Sequence, residues 1–363
     1  MVSTLSSSDR IRAALDHRQA DRIPMIETDF WPATLERWYA EGLPEGVDPV
    51  DAFQLDRIEH FFGIFDCTLQ AEVKVLEEGD DYVVRTSPYG TVFKEFKVPS
   101  HPPLLLEPGI RDRSDWEKVR GRLVADPSRL RLGDAVERSC RLRQEGTFVT
   151  VETIEPLWFV LYNTMGFEHG LMMMATDPDL VEEMIATYAT FSVDMLEICF
   201  RQGFRADALF LYSDLCYRSG MLFSPRSFRA LATPHLARFA DFCQRHGMYF
   251  LWHSDGNVAQ LIPLLLELGV DGIHPLEARA GNDVRLYKER HGEAITLIGN
   301  INADVVARGD REEIEREVAA KIPVAKAGGG YIYHIDHSVP PTVSLESYRF
   351  LLERVRHYGA YED

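Results

Sequence analysis

The chain has 363 residues, 45% of them hydrophobic, which is enough to bury a sizeable core. A formal net charge of −18 disfavours nucleic acid as a partner, because an acidic surface repels phosphates. The five cysteines are scattered and form no CxxC pair, which favours a reducing cytoplasm over a disulfide framework. With no apolar leader at the N-terminus and no run of about 18 apolar residues, neither secretion nor a membrane span is predicted.

The first third of the chain is predicted to combine a helix, a short strand and a β-hairpin. The stretch "SSDRIRAALDH" is amphipathic and begins with serine and aspartate, which are capping residues. "DRIPMIETDFW" is typical of a short strand. Residues 70–97 alternate polar and apolar side chains and turn at "EGDD" and "SPYG", which indicates a hairpin or small meander.

From Phe148 onwards the pattern changes to six successive β-then-α units. Alternation of this kind predicts a parallel sheet covered by helices, and no GxGxxG motif points to a dinucleotide-binding sheet. With "DRIPMIE" and one further strand before Phe148, the count approaches eight. We therefore predict one (β/α)8 TIM-type barrel over residues 1–363, in which 1–140 carries the helical and hairpin elaboration and 141–363 the core βα units. The six strand segments are "FVTVETIEP", "ADALFLYSD", "MYFLWHSDG", "VDGIHPLE", "AITLIGNIN" and "GYIYHIDHSVPP".

Polar side chains follow these predicted strands at their carboxyl ends, where barrel enzymes carry their active sites. Four of the 12 histidines lie at these ends. The polar residues at the six strand ends are Glu152, Glu155, Asp214, His253, Asp255, His274, Glu277, Asn300, Asn302, His334, Asp336 and His337.

Each of these groups has a structural as well as a functional interpretation. His253 and Asp255 share one face of a strand, because side chains alternate with period two, and so they suit a metal or substrate site. Alternatively, His253 bonds a backbone carbonyl and Asp255 caps a helix. Asp214 is as well suited to a helix cap as to a substrate contact. Glu152 lies in a strand predicted to be buried, where a carboxylate is costly unless it is catalytic or paired with an arginine. His337 and its neighbours also fit a turn stiffened by prolines.

The motifs "FLWHSDGNVAQLIPLLLELGVDGIHPLE", "ITLIGNIN" and "GGYIYHIDHSVPPTVSLESYRFLLERVRHYG" resemble the C-terminal half of the uroporphyrinogen decarboxylase superfamily. The likeness covers roughly residues 140–363. True uroporphyrinogen decarboxylases use no metal and carry a "RQAGRY"-like arginine motif near the N-terminus. This chain has "IETDFWPATLERWY" in that region, without the paired arginines that an octacarboxylate needs.

The resemblance is therefore closer to the methylcobalamin:coenzyme M methyltransferase-like branch. Members of that branch hold zinc through an H-x-C pair and a cysteine in a "GCGVPP"-like loop. Those ligand positions fall here on His253, Asp255 and His337, all competent ligands for zinc or another divalent metal. From their positions at the predicted strand ends, Glu152 and Asp214 are assigned as catalytic residues, and Glu277, Asn300 and His334 as substrate-binding residues.

The resemblance implies a metal-dependent methyltransferase that acts on a small molecule, with a corrinoid supplied by a partner protein and a homodimeric assembly. Two alternatives remain open. One is a metal-free decarboxylase in which Asp214 or Asp255 stabilises a protonated intermediate. The other is a non-catalytic barrel that docks a corrinoid protein.

Overall fold

A curled parallel sheet, with strands from both halves of the chain, forms the centre of the fold. The computed structural model describes residues 5–97 and 103–361. In chain order its strands are β1 Ile58–Phe62, β2 Val75–Glu78, β3 Tyr82–Thr86, β4 Val92–Phe96, β5 Leu104–Glu107, β6 Phe148–Ile154, β7 Ala208–Tyr212, β8 Cys216–Tyr217, β9 Gly220–Met221, β10 Tyr249–His253, β11 Gly272–His274, β12 Thr296–Ile298 and β13 Tyr331–Ile332. The central sheet has the spatial order β1–β6–β7–β10–β11–β12–β13, and all of its strand pairs are parallel.

The helices follow the strands in the alternation that the sequence predicts, so an apolar layer lies between the sheet and the helices. A π-helical turn at Phe159–Thr164 links α6 to α7. The helices are α1 Ser7–Leu15, α2 Pro32–Ala40, α3 Pro49–Ala52, α4 Arg113–Val119, α5 Ala135–Gln144, α6 Pro156–Trp158, α7 Phe167–Thr176, α8 Pro178–Arg201, α9 Pro225–Leu231, α10 Thr233–His246, α11 Ile262–Glu267, α12 Val284–His291, α13 Ala303–Arg308, α14 Arg311–Lys326 and α15 Leu345–Gly359.

The segment around Met25 lies between the two edge strands of this sheet. Met25 forms a parallel bridge with Tyr333, whose N–H donates to the Pro24 carbonyl at 2.9 Å and whose carbonyl accepts from Ile26 N at 3.0 Å. On its other side, the Met25 carbonyl accepts from Asp56 N at 2.7 Å, two residues before β1. The segment predicted as a short strand thus occupies the eighth position of a TIM-type barrel. The barrel therefore contains strands from before residue 140 as well as from the predicted core units after it.

Helix α1 covers the amino-terminal end of the barrel. Its Ile11 and Leu15 are buried against the inward-facing side chains of Phe148, Leu251 and Ile298. The helix is capped one residue before the predicted stretch: the Ser6 hydroxyl accepts from Asp9 N, and the Asp9 carboxylate accepts from Ser6 N. With this end covered, the carboxyl ends of the strands are left as the accessible face of the barrel.

The predicted hairpin is a four-stranded antiparallel sheet beside the barrel, in the order β2–β3–β4–β5. The two predicted turns are confirmed, because β2 ends at Glu78 and β3 at Thr86. The fourth strand, Leu104–Glu107, was not predicted: its run of leucines lacks polar alternation and prolines flank it. Within residues 5–97 and 103–361, no helix is long and apolar enough to cross a membrane.

Candidate active site

A pocket of about 260 Å³ opens at the carboxyl ends of the barrel strands. It brings together side chains from the segment after Met25 and from β6, β7, β10, β11 and the loop after β13. Of the predicted site residues, Glu152, His253, Asp255, His334 and His337 line it. The full lining is Thr28, Asp29, Glu152, Phe210, Tyr212, His253, Asp255, His274, Pro275, His334, His337 and Ser338.

Asp214, His253 and Asp255 form a compact cluster of potential metal ligands at this pocket. One ligand atom from each lies within 4.8 Å of the other two. The Nε2 atom of His253 is 3.4 Å from Asp214 Oδ1 and 4.0 Å from Asp255 Oδ1. Both His253 Nε2 and Asp255 Oδ1 are buried and have no hydrogen-bond partner among the residues that the structure describes. Unpartnered buried polar atoms are costly, so this cluster is built to receive a ligand.

His337 stands at the edge of the same cluster. Its Nε2 atom is 3.8 Å from Asp255 Oδ2, on the side of the carboxylate away from the His253 contact. Trp31 contacts the His337 ring edge to face, with 6.5 Å between centroids. The predicted ligand His337 is thus near the site, but Asp214 rather than His337 completes the closest set of three.

The electrostatics of this cluster favour a cation. Burial is the main cause that raises the pKa of Asp255, and the nearby charge of Asp214 raises it further. The pKa of Tyr212 is also raised, first by burial and then by the charges of the same two aspartates. The donors are oxygen and nitrogen atoms, a set that suits zinc and other divalent ions. The residues present therefore fit a divalent metal.

The backbone around Asp255 is fixed in place before any ligand binds. Asp214 Oδ1 accepts from Asp255 N at 3.1 Å, and Glu277 Oε2 accepts from Gly256 N at 3.1 Å. Gly256 has φ +84°, and a Cβ there would lie 2.5 Å from the Cys216 carbonyl oxygen. Only glycine allows this turn without displacing the neighbouring backbone. The loop thus aims the Asp255 side chain into the pocket.

Three histidine rings lie in contact across the pocket floor. His253 Nδ1 is 3.0 Å from His274 Nδ1, and His274 Nε2 is 3.3 Å from His334 Nε2. The Thr28 hydroxyl is 3.1 Å from His274 Nε2 and 3.0 Å from His334 Nε2. Burial lowers the pKa of His334 to about 3, and burial together with the neighbouring histidines lowers the pKa of His274 well below its usual value. The His274 and His334 rings are therefore neutral at physiological pH.

An aromatic wall and a carboxylate complete the pocket. Tyr212 stacks on the His253 ring, with 4.6 Å between centroids and 7° between planes. In the same lining, Glu152 Oε1 is 2.5 Å from His60 Nδ1, and Thr150 Oγ1 lies 2.9 Å from that nitrogen. Glu152 is thus paired with a histidine, whereas the sequence suggested either an ion pair with an arginine or a catalytic role.

The other two predicted substrate ligands lie outside the lining. Glu277 is engaged by Gly256 N and so supports the Asp255 loop. Asn300 is fully buried, and its side chain accepts from Val284 N at 3.0 Å and donates to the carbonyls of Leu276 and Asn282. Its φ of +83° turns it away from the strand direction. Asn300 therefore links the loops beneath the pocket.

Three residues at or behind the site had no assigned role in the sequence: Thr28, His60 and His274. His274 was visible as a polar strand end, but its use depends on the neighbouring strands. Thr28 and His60 belong to the first third of the chain, where the strand pattern is weak. The predicted strand "DRIPMIETDFW" includes Thr28, but its pattern did not mark where the strand ends, so Thr28 was not recognised as a strand-end residue.

Comparison with known proteins agrees with this fold. Residues 101–358 match the family described as uroporphyrinogen decarboxylase (URO-D). A protein named uroporphyrinogen decarboxylase from Pelobacter propionicus is 23% identical over 184 residues, and another from an Anaeromyxobacter species is 25% identical over 131 residues. The chain spans 51% and 35% of the length of these two relatives.

Among solved structures, a methyltransferase from Methanosarcina mazei has the same fold, with a TM-score of 0.64. The alignment covers 98% of this chain and 99% of that one, at 17% sequence identity. At this identity the likeness concerns the fold, and it confirms the predicted barrel over almost the whole chain.

Proposed function

This chain belongs to the uroporphyrinogen decarboxylase family, and we propose that within the family it is a metal-dependent methyltransferase. Zinc or another divalent ion is the proposed metal. A corrinoid carried by a partner protein is the proposed methyl source. The observation that carries the proposal is the cluster of Asp214, His253 and Asp255, in which two buried ligand atoms have no hydrogen-bond partner within residues 5–97 and 103–361.

In this proposal each residue of the cluster has a defined task. His253 Nε2 and one oxygen from each aspartate hold the metal, and His337 lies close enough to Asp255 to contribute from the pocket edge. A bound divalent metal lowers the pKa of a thiol or hydroxyl acceptor and so makes it nucleophilic at neutral pH. Glu152, which also lines the pocket, is the proposed base that accepts the proton released by the acceptor.

The pocket also limits the chemistry of the substrate. Of the twelve described residues that line it, three are carboxylates and none is lysine or arginine. Carboxylate groups on a ligand are normally bound by arginine or lysine, so a polycarboxylate such as uroporphyrinogen has no counter-charge here. A volume of about 260 Å³ is below the usual range for drug-sized ligands. These features favour a small, neutral or cationic substrate.

A metal-free carboxy-lyase is the second candidate, and the names of the two curated relatives favour it. In that case the raised pKa of Asp255 would supply a proton donor in the pocket. The two candidates differ in whether His253 holds a metal.

The deciding experiment measures metal content and turnover in the purified protein. We expect about one zinc or cobalt ion per chain, and transfer of the methyl group of methylcobalamin to a thiol, followed by the absorbance change of the corrinoid. The His253→Ala variant should lose both, because two remaining ligands cannot complete the site. Its melting temperature in chelator should equal that of chelated wild type.

His357→Ala is the matched control, since His357 is exposed on α15, away from the barrel mouth. Its metal content and turnover should match wild type. Full metal content in His253→Ala would refute the proposed ligand set. A metal-free wild type that decarboxylates a pyrrole would favour the second candidate. Corrinoid-protein binding without any turnover would favour a docking role.

A further inference from the structure

We propose that His274 and Thr28 are positioning residues that fix the His253 ring with its hydrogen on Nδ1 and its lone pair on Nε2, directed into the pocket. The inference follows from the hydrogen-bonded chain of histidines on the pocket floor. Only the purpose of this arrangement, to present a ligand atom to a metal, rests on the proposed function. The direction of the chain itself follows from the contacts.

The chain of hydrogen bonds is anchored at a backbone amide. Thr28 N is 3.0 Å from His334 Nε2, and a backbone N–H can only donate. His334 Nε2 therefore carries a lone pair. Its other nitrogen, Nδ1, then carries the hydrogen and donates to the carbonyl of Ile335, which can only accept. Both contacts of the His334 ring thus require the same tautomer, with the hydrogen on Nδ1.

The contact between His334 and His274 passes this direction to the next ring. His334 Nε2 carries no hydrogen, so in its 3.3 Å contact with His274 Nε2 the hydrogen lies on His274. The Thr28 hydroxyl oxygen lies beside this contact, 3.0 Å from His334 Nε2 and 3.1 Å from His274 Nε2, where it can accept from the same His274 N–H. The opposite nitrogen, His274 Nδ1, is left as an acceptor.

The last link reaches His253. His253 Nδ1 lies 3.0 Å from His274 Nδ1, so it must donate. The remaining nitrogen, His253 Nε2, then bears a lone pair and faces Asp214 and Asp255 at 3.4 and 4.0 Å. A lone pair held against carboxylate oxygens is repulsive until a cation lies between them. The ring is thus oriented for a metal before any metal binds. A hydrogen bond from the nitrogen that does not bind the metal commonly orients a histidine ligand in this way.

Burial makes this chain of hydrogen bonds rigid. His274 is 5% exposed and His334 1% exposed, so solvent competes little for their hydrogen bonds. Tyr212 stacked on His253 restrains ring flips. His274 on β11 and Thr28 in the segment after Met25 therefore fix the orientation of the His253 ring, which β10 carries.

Two variants of His274 separate positioning from packing. His274→Leu keeps a buried side chain but removes the acceptor for His253 Nδ1. His274→Asn keeps an acceptor oxygen near the position of Nδ1. Thr28→Val removes only the hydroxyl link. The matched control for the leucine change is His357→Leu on the exposed face of α15.

The first readout uses metal-free protein labelled with ¹⁵N-histidine. Nitrogen–proton correlation spectra show which ring nitrogen carries hydrogen, and the His253→Ala variant assigns the signal. In wild type, His253 should carry its hydrogen on Nδ1. His274→Leu should shift that signal toward a mixture of both forms, Thr28→Val should shift it less, and His274→Asn and His357→Leu should leave it unchanged.

The second readout is the affinity for zinc or cobalt. His274→Leu should weaken it about 10- to 100-fold, while His274→Asn and His357→Leu stay near wild type. A wild-type His253 with hydrogen on Nε2, or a His274→Leu variant with unchanged spectrum and affinity, would overturn the inference. If His274→Leu does not fold, Thr28→Val supplies the same comparison. If wild type binds no metal, the proposed function fails, and the spectra alone still decide the tautomer.

Discussion

Glu27 is buried beside the pocket, and its ionisation should control the stability of the protein over a defined range of pH. Its Oε1 accepts from the hydroxyls of Tyr333 and Tyr348 at 3.0 and 3.1 Å, and its Oε2 accepts from Ile335 N at 3.3 Å. These bonds only partly offset burial, which raises the pKa of Glu27 from 4.5 to about 8. A raised pKa means that the folded state binds this proton more tightly than the unfolded chain does.

The sign and size of the effect follow from this shift. The stabilisation from the protonated Glu27 is fully present below pH 4.5 and is lost as the pH rises to about 8. Each pH unit inside this window is worth about 1.4 kcal/mol, so three units, from pH 5 to pH 8, remove about 4 kcal/mol. Glu27→Gln mimics the protonated form and carries no ionisation. Its oxygen can still accept from both tyrosines.

The assay is urea unfolding followed by circular dichroism at pH 5, 6, 7, 8 and 9. The quantity compared is the unfolding free energy of wild type minus that of Glu27→Gln, which cancels the titration of other groups. We expect this difference to fall by about 4 kcal/mol between pH 5 and pH 8 and to level off above. Glu346→Gln is the control, because its exposed carboxylate should give a difference that varies by less than about 0.5 kcal/mol. A flat difference for Glu27→Gln would show that Glu27 is ionised in the folded protein throughout this range.

Three further substitutions test the scaffold of the barrel, two beside the site and one at its amino-terminal end. Gly256→Ala should cost about 1–3 kcal/mol and weaken metal binding, measured by urea unfolding and metal titration, because its Cβ meets the Cys216 carbonyl at a positive φ. Asn300→Ala should cost about 2–4 kcal/mol in the same unfolding assay, since it leaves buried backbone groups without partners. Asp207→Asn should cost about 2 kcal/mol or more, because Asp207 is buried and accepts from Arg143 and from Val149 N at 2.8 Å each. An unchanged unfolding midpoint in any of the three would contradict the contacts from which it is argued.

The barrel and part of the site were predictable because buried parallel strands have a strong signature. Each is a short apolar run that ends abruptly in polar residues, as in "FLWHSDG". That pattern located His253 and Asp255 on one side of a strand end, and both line the pocket. Asp214 was also found by this signal, although the structure groups it with His253 and Asp255 rather than within the pocket lining.

The missed residues depend on which strands become neighbours. His274 acts through its contact with His253, and that contact exists only because β11 pairs with β10 in register, His253 opposite His274. Thr28 reaches His334 only after the segment around Met25 has joined β13. Asn300 was predicted from its strand-end position, but that position alone does not reveal that its φ is positive and that its amide bonds the neighbouring loops. Local periodicity carries no information on such long-range geometry.

The bridge between Met25 and Tyr333 has a consequence for the order in which parts of the molecule fold. The two residues are about 300 positions apart in the sequence, so this contact has one of the largest sequence separations in the fold. During synthesis the N-terminal segment must wait, with one edge unpaired, until the C-terminal strand has left the ribosome. Contacts of such long range slow folding, because the closure entropy is lost before the contact forms. Thr28 and His334 are carried by these same two segments, so the pocket cannot be complete before this long-range contact has formed.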